Sequence, residues 1–336
     1  MVCLLKLFKM DNKIKQRFVK DYNLPINIFN DEIFNYYIEL YDFFPKNTWE
    51  KLCDAINNKY NGNSSLWLDY CAKVRDDAIS GVIESDEYKA FNDSKNLLKE
   101  YNIDVKVGEH SLYSQETDGK RYVSIDLKKA NFQALKFAGV LNDASYEDFI
   151  RKYGGDDYIV NSKYLRQVIF GKMNPGRTIK VEKYIVSKIH EIISPVFLDW
   201  KLFSFNSDEL IYSLEDFYPS EDNLNSIVGD VKELLDIDVR AECVEIKKLP
   251  IVNVNGNNVD AYVRTNINTN ESVLKKASTT FFPQIYKLWK GKEIQDKDLY
   301  VYFDDQLAKF VEPLRLAWLL YLKKKIVFLI LFLYFC

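Results

Sequence analysis

Residues 202–214, LFSFNSDELIYSL, set two apolar runs around a polar, acidic centre. The pattern predicts a β-hairpin, and a hairpin is stable in water only when further strands or helices cover its apolar side. A second β-rich run, RYVSIDL (121–127), is an apolar strand that closes on Asp126. Two strands of one sheet can therefore set Asp126 beside Asp208 and Glu209, although 82 positions separate the two aspartates. Carboxylates crowded at strand ends in an apolar setting repel each other and lose solvation. A divalent cation is their natural neutraliser.

The segments around these strands fix the fold class. RYVSIDL runs into KKANFQALKFAGVL, which reads as a helix, and YEDFIRK and NSKYLRQVIF read as two more. Asn174-Pro175 is a start signal for a longer helix reaching about Ile193, since Asn caps and Pro suits the first turn. After the hairpin come a helix over about 222–235 and the strand DVRAECVEIKKL. The order β-α-α-α-β-hairpin-α-β predicts an α+β fold, one antiparallel sheet covered by helices on one face. Residues 1–107 read as a mainly helical N-terminal region. Residues 108–250 form the sheet domain and 251–315 an α/β extension. Residues 316–336 are an apolar tail of open status.

Composition removes several alternatives. With 46 Lys and Arg against 49 Asp and Glu, the net charge is −3, which excludes a generally basic nucleic-acid-coating protein but not a local basic track. The five cysteines form no CxxC pair, so neither a disulfide framework nor a zinc site is indicated. Two histidines leave little for a His-centred site. An intracellular setting, cytoplasmic or nuclear, is expected, with a virus-encoded protein among the readings. The tail IVFLILFLYFC is 11 apolar residues behind three lysines, short of the roughly 20 that a spanning helix needs. A membrane partner is expected only if that tail is a native element.

RKYGGDDYIV (151–160) invites comparison with metal-binding turns: Gly-Asp-Asp of RNA-copying polymerases, or Gly-Gly-Asp-Glu-Phe of diguanylate cyclases. Both need apolar strands on each side of the turn. Here YEDFIRK precedes it, charged and helical, so the expectation is a helix C-terminal stop followed by a turn.

Between the two acidic strands lies the most basic stretch. Residues 163–183 hold Lys163, Arg166, Lys172, Arg177, Lys180 and Lys183 against Glu182 alone, while 201–238 hold ten acids against two lysines. Cations beside an acidic hairpin suit a triphosphate with its metals.

Asp126-Leu-Lys-Lys-Ala130-Asn131-Phe132 resembles the first palm motif of reverse transcriptases, and also the family A DNA polymerase motif with a polar gate residue five after the Asp. Gly171-Lys-Met-Asn-Pro175 resembles the second reverse-transcriptase motif, with Phe170 and Asn174 where that motif has Gln and Ser. Ser207-Asp208-Glu209-Leu210 is similar to the third. The likeness spans about 115–250 and points to a divergent, polymerase-palm-like (right-hand) sheet. It implies a nucleotidyltransferase working by two-metal phosphoryl transfer. Asp126 and Asp208 would ligate Mg²⁺ or Mn²⁺, with Glu209 assisting. Asn131 would lie under the incoming sugar with Phe132 beside it. Arg166 and Lys172, then Arg177 and Lys180, would hold the triphosphate. The implied partners are nucleoside triphosphates and a nucleic-acid primer-template. Two alternatives stay open: a palm-derived binding protein without catalysis, and a cyclase working from Asp126 and Asp157.

Overall fold

The computed structural model describes residues 9–27, 30–42, 48–93, 101, 103, 110–214, 219–250, 252–254, 257–303 and 306–310. They fall into two compact units. One comprises Asp42–Lys248 and Tyr262–Lys275 with the described part of Met1–Asp11. The other comprises Asn12–Tyr41, Leu249–Ala261 and the described part of Lys276–Cys336. The chain opens with α1 (Asn12–Tyr22) and α2 (Asp31–Asp42), which belong with the second unit.

The first unit begins with α3 (Thr48–Tyr60), α4 (Ser64–Ile83) and α5 (Asp86–Asp93), which with α1 and α2 lie in the region predicted to be helical. Asn63 caps α4 by accepting from the Ser65 and Leu66 amides. Trp67, Cys71, Val74, Ala78 and Val82 recur at three- and four-residue steps and are buried, giving α4 its inner stripe. Ser85 accepts from the Tyr88 amide at the start of α5, as a capping serine does.

The sheet domain follows: β1 (Arg121–Leu127), α6 (Ala130–Phe137), α7 (Tyr146–Lys152), α8 (Asp157–Asn161), α9 (Lys163–Phe170), α10 (Pro175–Ile193), β2 (Lys201–Phe205), β3 (Glu209–Ser213), α11 (Glu221–Leu235) and β4 (Val239–Lys248). Strands β5 (Val252–Val254) and β6 (Asn257–Val259) pair with each other in the second unit. β7 (Tyr262–Asn266) and β8 (Ser272–Lys275) then return to the sheet. The six-stranded antiparallel order is β2-β3-β1-β4-β7-β8. Its first four strands and their helices make the split β-α-β, or ferredoxin-like, arrangement. The predicted α+β class, with one antiparallel sheet and a helical N-terminal region, is the one observed.

Strand alternation decides which side chains meet the helices. Val123, Ile125 and Leu127 lie on one face with Tyr212 and Leu210, and α10 and α11 pack on it, with α6 against α10. Tyr212 shares a 2.8 Å hydrogen bond with His190 of α10, so this buried phenol is satisfied. Burying such apolar side chains contributes about 1.5–3 kcal/mol each. The other face is divided. Tyr122, Ile211, Val244, Ile246 and Tyr262 pack with Leu112 at one end. At the other end lie Ser124, Asp126, Glu209, Arg240 and Glu242, all polar, and the Arg264 side chain reaches them from its place opposite Ile246.

In the second unit, Phe18 and Tyr22 of α1 and Tyr41 of α2 pack with Phe282 of α12 (Phe282–Trp289). Hairpin β9 (Tyr300–Phe303)–β10 (Gln306–Lys309) follows. Lys15 is buried but paired with Asp31 at 2.7 Å. Residues 311–336, and with them the apolar tail, lie outside the described residues. Among the described residues no helix is long and apolar enough to cross a membrane.

Candidate active site

The β1–β3 register sets Asp126 directly opposite Glu209. Asp208, one residue earlier, belongs to the tight turn after β2, and its carbonyl accepts from the Leu127 amide at 2.9 Å. Both aspartates thus stand at the same end of the central strand pair and line one cavity of 680 Å³, a size suited to a nucleotide. Burial, then Glu209, pushes the Asp126 carboxyl up to about 6, opposed by Arg240, whose Nη2 lies 2.9 Å from Oδ2; Asp208 raises it further. Burial, then Glu209, also raises Asp208. These acids are crowded and desolvated, the condition the sequence pattern anticipates.

Glu209 has a different role from its neighbour. Its Oε1 accepts from Ser124 Oγ at 2.6 Å and from Arg264 Nη1 at 2.6 Å. The Arg264 side chain, 8% exposed, also donates to Ser124 Oγ at 2.7 Å and reaches Glu242 at 3.4 Å. Glu209 is therefore held in the sheet by a buried guanidinium while Asp126 and Asp208 face the cavity. Arg264 comes from β7, outside the stretch of palm likeness. No signal in YVRTN marks it until the strand register is known.

The opposite wall comes from helices. Lys129 takes a left-handed turn (φ 55°) after β1, which starts α6 and turns Asn131 and Phe132 toward the cavity. Asn131 Nδ2 donates to Glu182 Oε1 of α10 at 2.7 Å. Glu182 is 3% exposed, and burial, then Asp208, pushes its carboxyl up to about 7. Sequence reading counts Glu182 only as the lone acid of a basic stretch. Its signal is positional: it falls on the buried stripe of Thr178, Val181, Ile185, Val186 and Ile189, where an acid is out of place. Phe132 is 2% exposed and packs on Tyr146 and Phe149, so it shapes the wall mainly from behind.

Arg166 of α9 lines the cavity and lies over the Tyr146 ring at 5.7 Å. Burial lowers its pKa, which Tyr146 and Glu147 oppose. Lys163, at the start of the same helix, lines it too. The other predicted cations are elsewhere. Lys172 is exposed in the α9–α10 turn, and Lys180 is exposed on α10, turned away from Ile179 and Glu182. Arg177 donates to the Phe91 carbonyl at 2.8 Å and ties α10 to α5. Asn174 takes φ 46°, which Asn tolerates, and caps α10 as predicted.

The Gly-Gly-Asp-Asp turn has a local explanation. Gly154, at φ +81°, ends α7, and a Cβ on Gly155 would lie 2.9 Å from the Ile150 carbonyl. Asp156 caps α8 through the Ile159 amide and pairs with Lys59 at 2.5 Å. Asp157, its side chain 86% exposed, pairs with Arg151 at 2.6 Å. Neither acid lines the cavity of Asp126.

Mg²⁺ or Mn²⁺, implied by the palm likeness, can be tested against this donor set. Among the described residues no group of three His, Cys, Asp or Glu side chains is arranged to hold a metal ion. Two desolvated aspartates facing a cavity are nonetheless the hard-oxygen donors Mg²⁺ takes. Mg²⁺ usually keeps waters and borrows substrate phosphates instead of filling an all-protein cage. The pair fits the group in that sense. No protein-family model matches the chain, and neither a curated protein nor a solved structure matches it.

Proposed function

We propose that the first unit is a nucleotidyltransferase of the palm type, transferring a nucleotidyl group from a nucleoside triphosphate to a hydroxyl at the end of a nucleic-acid strand. The observation that carries this is the convergence of Asp126 and Asp208 on one cavity of a split β-α-β sheet, with Arg166 and Lys163 on the facing wall. The hydroxyl gives up its proton to solvent as its oxygen attacks the α-phosphorus, a new P–O ester bond forms, the α–β bridging bond breaks, and pyrophosphate leaves with the electron pair. Mg²⁺, when bound, supplies activation of the hydroxyl and neutralises charge on the leaving group. Asp126 and Asp208 would hold it. Arg166 and Lys163 bind the phosphate tail, and Asn131, fixed by Glu182, lies where the sugar would stack on α6. The geometry favours this over a cyclase working from Asp126 and Asp157, because Asp157 is engaged with Arg151 on another surface.

Primer extension with Mg²⁺ or Mn²⁺ tests the proposal. Asp208→Ala should abolish extension while leaving stability equal or higher, because it removes a desolvated acid. Undiminished extension by a folded Asp208→Ala protein would refute the assignment.

A further inference from the structure

The second unit has its own cavity, of 440 Å³, between α2, α12 and the β9 region. Two kinds of side chain line it. Tyr36, 56% exposed, and Tyr37 come from α2, Tyr286 from α12, and Tyr300 opens β9. Lys290, Lys292 and Lys297 rim it, each exposed. Lys290 lies over the Tyr286 ring at 5.5 Å. The acid on the lining, Asp298, is occupied: it pairs with Lys287 and accepts from the Gln295 amide at 2.7 Å. The lining therefore carries more lysines than acids, beside the exposed ring of Tyr36.

This combination is specific in its chemistry. An apolar ligand would not need three rim lysines, and a free phosphate would not need tyrosines. Flat π-faces beside cations match a chain of unstacked bases on a phosphate backbone, where stacking and charge act together. We propose that the second unit carries a binding site for single-stranded nucleic acid, with Tyr36 and Tyr286 as stacking platforms and Lys290, Lys292 and Lys297 as phosphate contacts. The site is separate from the cavity of Asp126 and does not depend on its chemistry.

The test is fluorescence anisotropy of the full chain, in an Asp208→Ala background, with labelled oligothymidylate of about 12 nucleotides, within the span of one single-strand site. The combined variant Lys290→Gln/Lys292→Gln/Lys297→Gln should weaken binding about tenfold or more. It should also flatten the log–log salt dependence by about 2, at roughly 0.7 per lost phosphate contact. Tyr36→Ala, at an exposed position, should weaken binding without changing that slope. Arg166→Gln should leave this component of binding in place. An oligomer carrying iodouridine should crosslink to Tyr36 or Tyr286. Unchanged affinity and slope in folded variants, crosslinks confined to the first unit, or tighter binding of an acidic peptide or blunt duplex would each overturn the proposal.

Discussion

Replacing Glu182 by Gln gives the sharpest test of the electrostatics around Asp208. The Glu182 carboxyl is raised from an ordinary 4.5 to about 7, first by burial and then by Asp208, with the Asn131 hydrogen bond opposing. Between those two values the native state holds a proton that the unfolded chain has released, so stability falls as pH rises. The contribution is complete below 4.5 and lost as pH passes about 7. Converting the gap at 1.36 kcal/mol per pKa unit gives about 3 kcal/mol. The amide of the Glu182→Gln variant stays neutral at every pH, and its carbonyl can still accept from Asn131. Urea denaturation at intervals from about pH 4 to about pH 9 should show little difference between the proteins at the acid end. At about pH 8 Glu182→Gln should be more stable by about 3 kcal/mol. Magnesium should shrink that difference, since a cation on Asp208 offsets the repulsion reaching Glu182. A difference that stays constant with pH, or grows on acidification, would refute the reasoning.

Two further predictions concern stability. Arg264→Met should cost about 3–5 kcal/mol in chemical denaturation, because it leaves Glu209 and Glu242 without their buried guanidinium, while Arg264→Lys should recover part of the loss. In the Gly-Gly-Asp-Asp turn, Asp156→Ala should cost about 1 kcal/mol through the lost α8 cap, whereas Asp157→Ala should stay within about 0.5 kcal/mol and leave primer extension unchanged. A larger effect from Asp157 than from Asp156 would reverse the roles given to them.

The fold was legible where local chemistry speaks for itself. RYVSIDL is β1 in full, and Asn174-Pro175 opens α10 as its cap and first turn. LFSFNSDELIYSL is the β2–β3 hairpin with Asp208 in its turn. Each of these rests on period-2 alternation or on a residue suited to one backbone position, and none needs tertiary information. Gly154 belongs here too, since a helix end followed by two glycines reads the same in sequence and in space. The extra strands β7 and β8 were harder to see. VDAYVRTN shows strand character, but nothing in it says that the chain returns to β4 after the β5–β6 excursion.

In the candidate site the convergence of the acids was legible and the placement of the cations much less so, and the reason is directional. Asp126 and Asp208 sit at strand ends, where one register choice fixes both, and burying the apolar residues of β1 and β3 on one face enforces that register. Cations on a helix are placed by rotation instead. Counting charges over 163–183 treats all six as equivalent, yet steps of about 100° around α10 send Lys180 to solvent and bring Glu182 to the cavity. Glu209 shows the same limit in the sheet. As neighbour of Asp208 it reads as a second acid for a metal. It shares its face with Asp126, directly opposite, but Ser124 and Arg264 hold its carboxylate. A carboxylate so held stands beside Asp126 without lining the cavity. Glu209 therefore raises the cost of ionising Asp126 on its own and increases what a bound cation relieves.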